Sequence, residues 1–348
     1  MDILLDVMDE YLLDNVYAKL VPATAFAPAF NASTLSKAAL NATSHFPVIP
    51  AGSLSSTWSH LVSYLPHPPL PAESFVEPAL STIASTSAWP RDYILRQAIS
   101  LTGITLAGVH VIYFLFAWLS YTFVFNHDMM KHPRFLKNQI RQEILLSLYA
   151  FPLMTALTLP LFVLEVRGYS FLYDNVSDYG WGYLVFSVAF YLLFTDFCIY
   201  WIHRWEHNPL WYKWLHKPHH KWIIPTPFAA YAFHPMDGFL QSIPYHIFIF
   251  MFPFHKKLYV ILFVLINLWT ILIHDSDMVT GHPLERIING PAHHTLHHMY
   301  FTVNYGQYFT FADRMGDSYR QPAQELDPLL DVKKAEEKQE KEALGKQQ

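Results

Sequence analysis

The sequence predicts an all-α integral membrane protein, with about four to five membrane helices beneath a cytosolic, histidine-rich metal-binding cap. Composition is the first ground: 52% of the 348 residues are hydrophobic and 15% are charged, where soluble domains carry about a quarter charged residues. The second is a series of long apolar runs that begins near residue 101. The third is the crowding of fourteen of the 20 histidines between Trp201 and Tyr300.

Residues 1–97 read as a loosely ordered N-terminal segment, rich in Pro, Ser, Ala and Thr. They lack the basic leader and apolar core of a cleavable signal peptide. Within them Ile3, Leu4, Val7, Met8, Tyr11, Leu12, Val16 and Tyr17 recur at helical spacing, which predicts a short amphipathic helix on a membrane or against the core. Asn31, Asn41 and Asn175 each begin a glycosylation sequon.

Residues 98–320 read as the membrane-embedded domain. Leu101 to Phe125, Ile144 to Val166 and Trp181 to Ile202 are each long enough to cross ~30 Å of hydrocarbon. Phe239 to Phe254 and Leu258 to Ile273 are shorter, and Pro244, Pro253, Lys256 and Lys257 interrupt them. They predict a hairpin that dips in and returns, or two spans in a thinned region. Lys131, Arg134, Lys137 and Arg141 lie between the first two runs, whereas the next loop holds Arg167 beside Asp174 and Asp178. The positive-inside bias therefore places the first loop in the cytosol, together with the C-terminal end of the third span and every histidine cluster, and places residues 1–97 in the lumen.

Residues 321–348 form a tail of alternating charge, expected to be a solvated helix or disordered. A net charge of −5 supplies no basic field for nucleic acid. Cys198 is the sole cysteine, so no internal disulfide exists.

Three histidine clusters stand out. HRWEH holds His203 and His207, four apart, so a helix aims both rings at one point. HKPHH holds His216, His219 and His220, and HHTLHH holds His294, His297 and His298; the i, i+3, i+4 spacing would let each triplet face one centre. Pro218 fits only in the first turn of its helix, with His216 at or just before the start. Isolated histidines such as His45, His60, His67, His110, His127 and His132 are read as ordinary core or surface residues. Eight facing imidazoles are a different case: charged they repel, and neutral they pack poorly unless a cation holds them.

HRWEH also fits the His-x-x-Glu-His pattern of inverted zinc metalloproteases, with Glu206 as base, but that site needs one further ligand and leaves the other clusters idle. A membrane metal transporter would place ligands at mid-membrane on facing helices. Eight clustered imidazoles plus one or two more supply four or five nitrogens to each of two ions, with positions left for water or dioxygen. Imidazole alone does not choose among iron, copper, nickel and zinc.

The three clusters, in this order among hydrophobic spans, resemble the histidine boxes of the fatty acid hydroxylase/sterol desaturase superfamily of membrane di-iron enzymes. The runs AFHPMDGFLQ, NLWTILIHDSD and INGPAHHTLHHMYFTVNYGQYFTFADRMGDSY resemble the sterol C-5 desaturase (lathosterol oxidase) branch found in fungi, and the resemblance covers about Ala98 to Arg320. The chain departs from that pattern at Ala312, where Trp is expected.

The resemblance implies an oxidoreductase of the endoplasmic reticulum with two non-heme Fe ions, using dioxygen and electrons from NADH or NADPH through a reductase and cytochrome b5. Its reaction would introduce a C5–C6 double bond into a Δ7-sterol of the episterol or lathosterol type in ergosterol-type biosynthesis. Sister chemistries on the same scaffold are sterol C-4 methyl oxidation and fatty acid hydroxylation. The expected metal ligands are His203, His207, His216, His219, His220, His294, His297 and His298, with His274 next. His234, His293, Glu206 and Asp237 are expected as further ligands or as groups orienting the ligands. Asn304, Tyr305, Gln307 and Tyr308 are expected at the sterol. No catalytic residue separate from the ligands is expected.

Overall fold

The computed structural model describes residues 1–26, 56–69 and 87–345. The sequons at Asn31 and Asn41 lie outside the described residues. The chain forms two compact units, Met1–Ile104 and Thr105–Gln348.

In the first unit, α1 (Asp2–Met8), a π turn (Asp9–Leu13) and α2 (Asp14–Leu20) follow one another without a break. Of the apolar face expected from sequence, Tyr17 is buried whereas Leu4, Val7, Tyr11 and Leu12 are exposed; Leu5 and Val21 are buried with Tyr17. Tyr17 and Val21 pack with Val62 of α3 (Ser56–Val62) and with Ala88 and Trp89. The clamp is Arg96, near the start of α4 (Ile94–Phe123). Its guanidinium is buried, 2.6 Å from Asp9 and paired also with Asp14, and lies over the Tyr17 ring. The described part of the N-terminal segment is thus tied down, where composition predicted loose order; the cause is an ion pair between residues 87 apart in sequence.

The second unit is a helical bundle. α4, α5 (Gln139–Val166) and α6 (Gly180–Glu206) are 30, 28 and 27 residues long and apolar enough to cross a membrane, at roughly 1.5 Å per residue. Pro152 and Pro160 lie inside α5, as proline often does in membrane helices whose neighbours satisfy the freed backbone groups. A four-residue helix, α7 (Pro209–Tyr212), follows α6.

α8 (Pro235–Met251) and α9 (Lys256–Leu272) are the expected hairpin. Pro244, expected to interrupt it, sits inside a continuous α8; the break falls at Phe252 and Pro253. Their corner makes the one sheet found among the described residues. β1 (Leu172–Tyr173) pairs in parallel with β2 (Phe254–His255), and Lys256 reaches Asp174 at 2.9 Å. That corner therefore lies against the α5–α6 loop, at the end of the bundle opposite the histidines. The two hairpin helices, 17 residues each, are shorter than α4, α5 and α6.

Tyr191, Tyr245, Phe248, Phe254 and Tyr259 build the core between α6, α8 and α9, and Tyr113, Phe151, Phe228 and Tyr231 build the core beside α4 and α5. Gly238 lets α8 come close: a Cβ there would overlap the Phe233 ring and press on Met154 of α5. Three helices complete the cap: α10 (Pro291–Tyr300), α11 (Phe311–Met315) and α12 (Leu329–Gly345). The tail is helical as anticipated, yet its first turns are docked, with Val332 buried and Leu329 against Phe125, Met129 and Ile224.

Candidate metal centre

The C-terminal end of α6 carries His203 and, as its last cap, His207. Asn208 caps the start of α7 by accepting from the Leu210 amide, with Pro209 as the first residue of that helix. HKPHH is not an α-helix. It is a tight turn in which the His219 and His220 amides both donate to the His216 carbonyl, followed by a single 3-10 turn, His219–Lys221, capped at Pro218. Proline's fixed φ suits that cap position. His274 follows α9, and α10 presents His294, His297 and His298 after Gly290 and Pro291.

Nine imidazoles converge from these four segments in two groups. His203, His207, His216, His220 and His297 bring one ligand atom each within 4.8 Å of one another, and so do His219, His274, His294 and His298. The triplets do not each face one centre, as expected from spacing. His216 and His220 join the first group and His219 the second; His294 and His298 join the second and His297 the first. Successive residues of a helix or tight turn point about 100° apart, so one short segment placed between two sites serves both.

The nitrogens are arranged for a cation. His203 and His216 face each other Nε2 to Nε2 at 3.0 Å, as do His207 and His220, His220 and His297, and His274 and His294. On the far side of the rings, His203 Nδ1 donates to the Tyr305 carbonyl (2.9 Å), His274 to Thr270 (2.6 Å), His297 to Val303 (2.7 Å) and His298 to Trp222 (2.9 Å). His216 Nδ1 donates to Asp237 at 2.8 Å. A neutral imidazole has one proton, so in these rings Nε2 is a bare lone pair. His203 and His216 are both fixed in this way, so two lone pairs meet across 3.0 Å and repel unless a cation lies between them.

Burial keeps the rings neutral. It is the largest cause holding His207, His219, His220, His294, His297 and His298 well below the usual imidazole range, with neighbouring imidazoles adding to it. Burial brings His274 down to about 4.

The remaining expected residues have other placements. Asp237 orients His216, and Gln241, one turn along α8, donates to both Asp237 (2.7 Å) and Glu206 (3.0 Å). Glu206 stands 3.9 Å from His216 Nδ1, behind the ligands. His234 is in neither group: its Nδ1 accepts from the Met236 amide and caps α8. His293 points off the other side of α10 toward Tyr319. Burial and the Arg314 charge lower it to about 4.

Asn304, with φ at 55°, holds the loop together; its amide donates to the His293 and Arg320 carbonyls and accepts from the Arg320 amide. Gln307 donates to Thr270 Oγ1, and Tyr308 to the Tyr245 hydroxyl. The Tyr305 ring lies against His203, His207 and His297, with centroids 5.1 to 5.5 Å apart. Ala312 is buried beside Tyr200 and Tyr305.

Sequence reasoning missed the carboxylates that brace this loop. Asp196 Oδ1 accepts from the amides of Gln307, Tyr308 and Phe309 (3.0, 2.6 and 3.2 Å), and Asp313 accepts from Tyr305 and Gly306 (2.8 and 2.9 Å). A signal existed for Asp196: a carboxylate inside an apolar span has a partner and a task.

Comparison with known proteins agrees with this architecture. Residues 188–318 match the family model described as fatty acid hydroxylase. The chain is 48% identical over 329 residues to a Delta(7)-sterol 5(6)-desaturase of Gibberella zeae, covering 94% of this chain and 92% of that one. It is 54% identical over 269 residues to a Delta(7)-sterol 5(6)-desaturase of Aspergillus fumigatus, covering 72% and 84%, and 56% identical over 239 residues to the human lathosterol oxidase, covering 68% and 80%. No solved structure matches the chain. Being 48% identical to one of these enzymes over 94% of its own length and 56% identical to another over 68%, the chain belongs to the Delta(7)-sterol 5(6)-desaturase and lathosterol oxidase family, within the fatty acid hydroxylases.

Proposed function

We propose that this protein is a sterol C-5 desaturase, forming the C5–C6 double bond of a Δ7-sterol at a pair of non-heme iron ions. The single observation that carries the metal reading is the convergence of nine imidazoles in two groups, with the Nε2 lone pairs of His203 and His216 facing each other. In this reading His203, His207, His216, His220 and His297 hold one ion, and His219, His274, His294 and His298 the other. Iron, when bound, supplies the oxidising power with dioxygen that an unactivated C–H bond requires. The chain's own residues ligate, orient and keep water out: Asp237 and four backbone carbonyls fix the tautomers of five rings, and the Tyr305 ring covers three of the rings. Each turnover removes two hydrogens from the sterol, consumes one dioxygen, two electrons and two protons, and yields two waters.

The sterol identity rests on the names of the relatives. Electrons come from cytochrome b5 and its NADH- or NADPH-dependent reductase in the endoplasmic reticulum membrane, with the histidines on the cytosolic side; the basic first loop supports that orientation. A glycan-acceptor tag near Arg134 or after His298 should stay unmodified, and modification at either would overturn the topology. Expression in a cell lacking this step should restore the Δ5,7-diene in extracted sterols. Loss of a C-4 methyl group or a 2-hydroxy acid, without the diene, would point to a sister chemistry.

A further inference from the structure

Leu193, Phe197, Trp201 and Trp205 run at four-residue spacing along the exposed side of α6 and stop where the helix stops. The chain beyond does not turn its apolar side chains inward. Leu210 is 77% exposed and Trp214 73%, and Trp211 is exposed as well. Trp211 lies against Trp205 with ring centroids 5.0 Å apart, so the apolar face of this loop continues the outward stripe of the span. Apolar side chains of this size are unfavourable in water, and tryptophan favours the headgroup level of a bilayer.

The charges on the loop have one sign. Between Glu206 and Asp237 there is no Asp or Glu, and Lys213 and Lys217 are exposed. Lys213 Nζ stands 5.4 Å from the Trp214 ring centroid, as a lysine does when its stem follows an apolar surface and its ammonium reaches a polar layer. The next residues turn inward: Leu215 is buried, and His216 is fully so.

We propose that residues 208–217 are an interfacial anchor, with Leu210, Trp211 and Trp214 in the headgroup layer and Lys213 and Lys217 meeting anionic lipid phosphates. Lipid is favoured over an acidic protein because the apolar face is continuous with a membrane helix, whereas the lysines alone would suit either. The anchor sets the depth of His216, and with it the first group of imidazoles, relative to the lipid that carries the substrate. The inference rests on α6 as a membrane helix and is independent of the metal and of the reaction.

The test uses the full chain in nanodiscs of phosphatidylcholine, with and without phosphatidylserine. In a Cys198→Ser background, spin labels at Leu210→Cys and Trp214→Cys should be more accessible to oxygen than to a water-soluble nickel chelate, and a label at Lys338→Cys should show the reverse. Phosphatidylserine should deepen the first two, and Lys213→Glu with Lys217→Glu should remove that lipid dependence. Photolabelling of the unmodified chain by a lipid-borne diazirine should mark Leu210 or Trp214. Labels at 210 and 214 that read like the one at 338, or no lipid crosslink in the loop, would overturn the anchor. So would protection that appears only when an acidic soluble electron carrier is added.

Discussion

His297 and His298 are neighbours in sequence that belong to different groups: His297 faces His220 at 3.0 Å, and His298 faces His294 at 3.1 Å. One turn of α10 is the wall between the two groups. The pair therefore offers a way to address one proposed ion at a time.

His297→Ala and His298→Ala should each lower the metal content by one ion per chain and abolish turnover, while the protein stays in the membrane. Elemental analysis of the purified protein reads the count. Wild type should hold two irons; a single zinc, with activity insensitive to iron chelators, would revive the protease reading of HRWEH.

Asp237→Ala removes the acceptor that sets the His216 tautomer. Loss of such an outer carboxylate costs roughly 10- to 100-fold in metal affinity or activity. Asp237→Asn keeps an acceptor oxygen and should be milder. A competition titration with a chelator separates the two, and equal effects would mean that Asp237 acts through packing alone.

Asp196→Ala leaves three backbone amides of the 307–309 loop without their acceptor, at about 1–3 kcal/mol for each buried group left unpaired. Thermal unfolding should shift down, and Asp196→Asn should recover part of the loss. Because the same loop supplies the Tyr305 carbonyl to His203, metal content should fall as well.

Metal-free protein should lose stability as the pH falls. Burial holds His274 at about 4 and, with the Arg314 charge, His293 also at about 4, while the unfolded chain takes up these protons at about 6.5. Below 6.5 the unfolded state binds more protons, so stability is full above that pH and declines progressively toward 4. Melting temperatures in detergent across this window check it, and a flat profile would contradict it. Bound metal should move the decline to lower pH.

Much of this was legible in the sequence, since it depends on residue type and spacing along one segment. The apolar runs predict α4, α5 and α6 because a helix in lipid must be long and apolar whatever it packs against. The three boxes name eight of the nine clustered histidines, and the ninth, His274, ends an apolar run before a polar turn. Spacing could not assign the rings to two groups. Whether His297 meets His220 or joins His294 depends on where α10 sits between the ends of α6 and α9, a distance of many residues along the chain. The i, i+3, i+4 spacing did set His294 apart from His293, and the second group holds His294 alone of the two, because the two side chains leave α10 about 100° apart. Asp237, Gln241 and Asp196 acquire their roles as His297 does: each is a side chain whose partner comes from another segment, and only the folded bundle brings the two within hydrogen-bond distance.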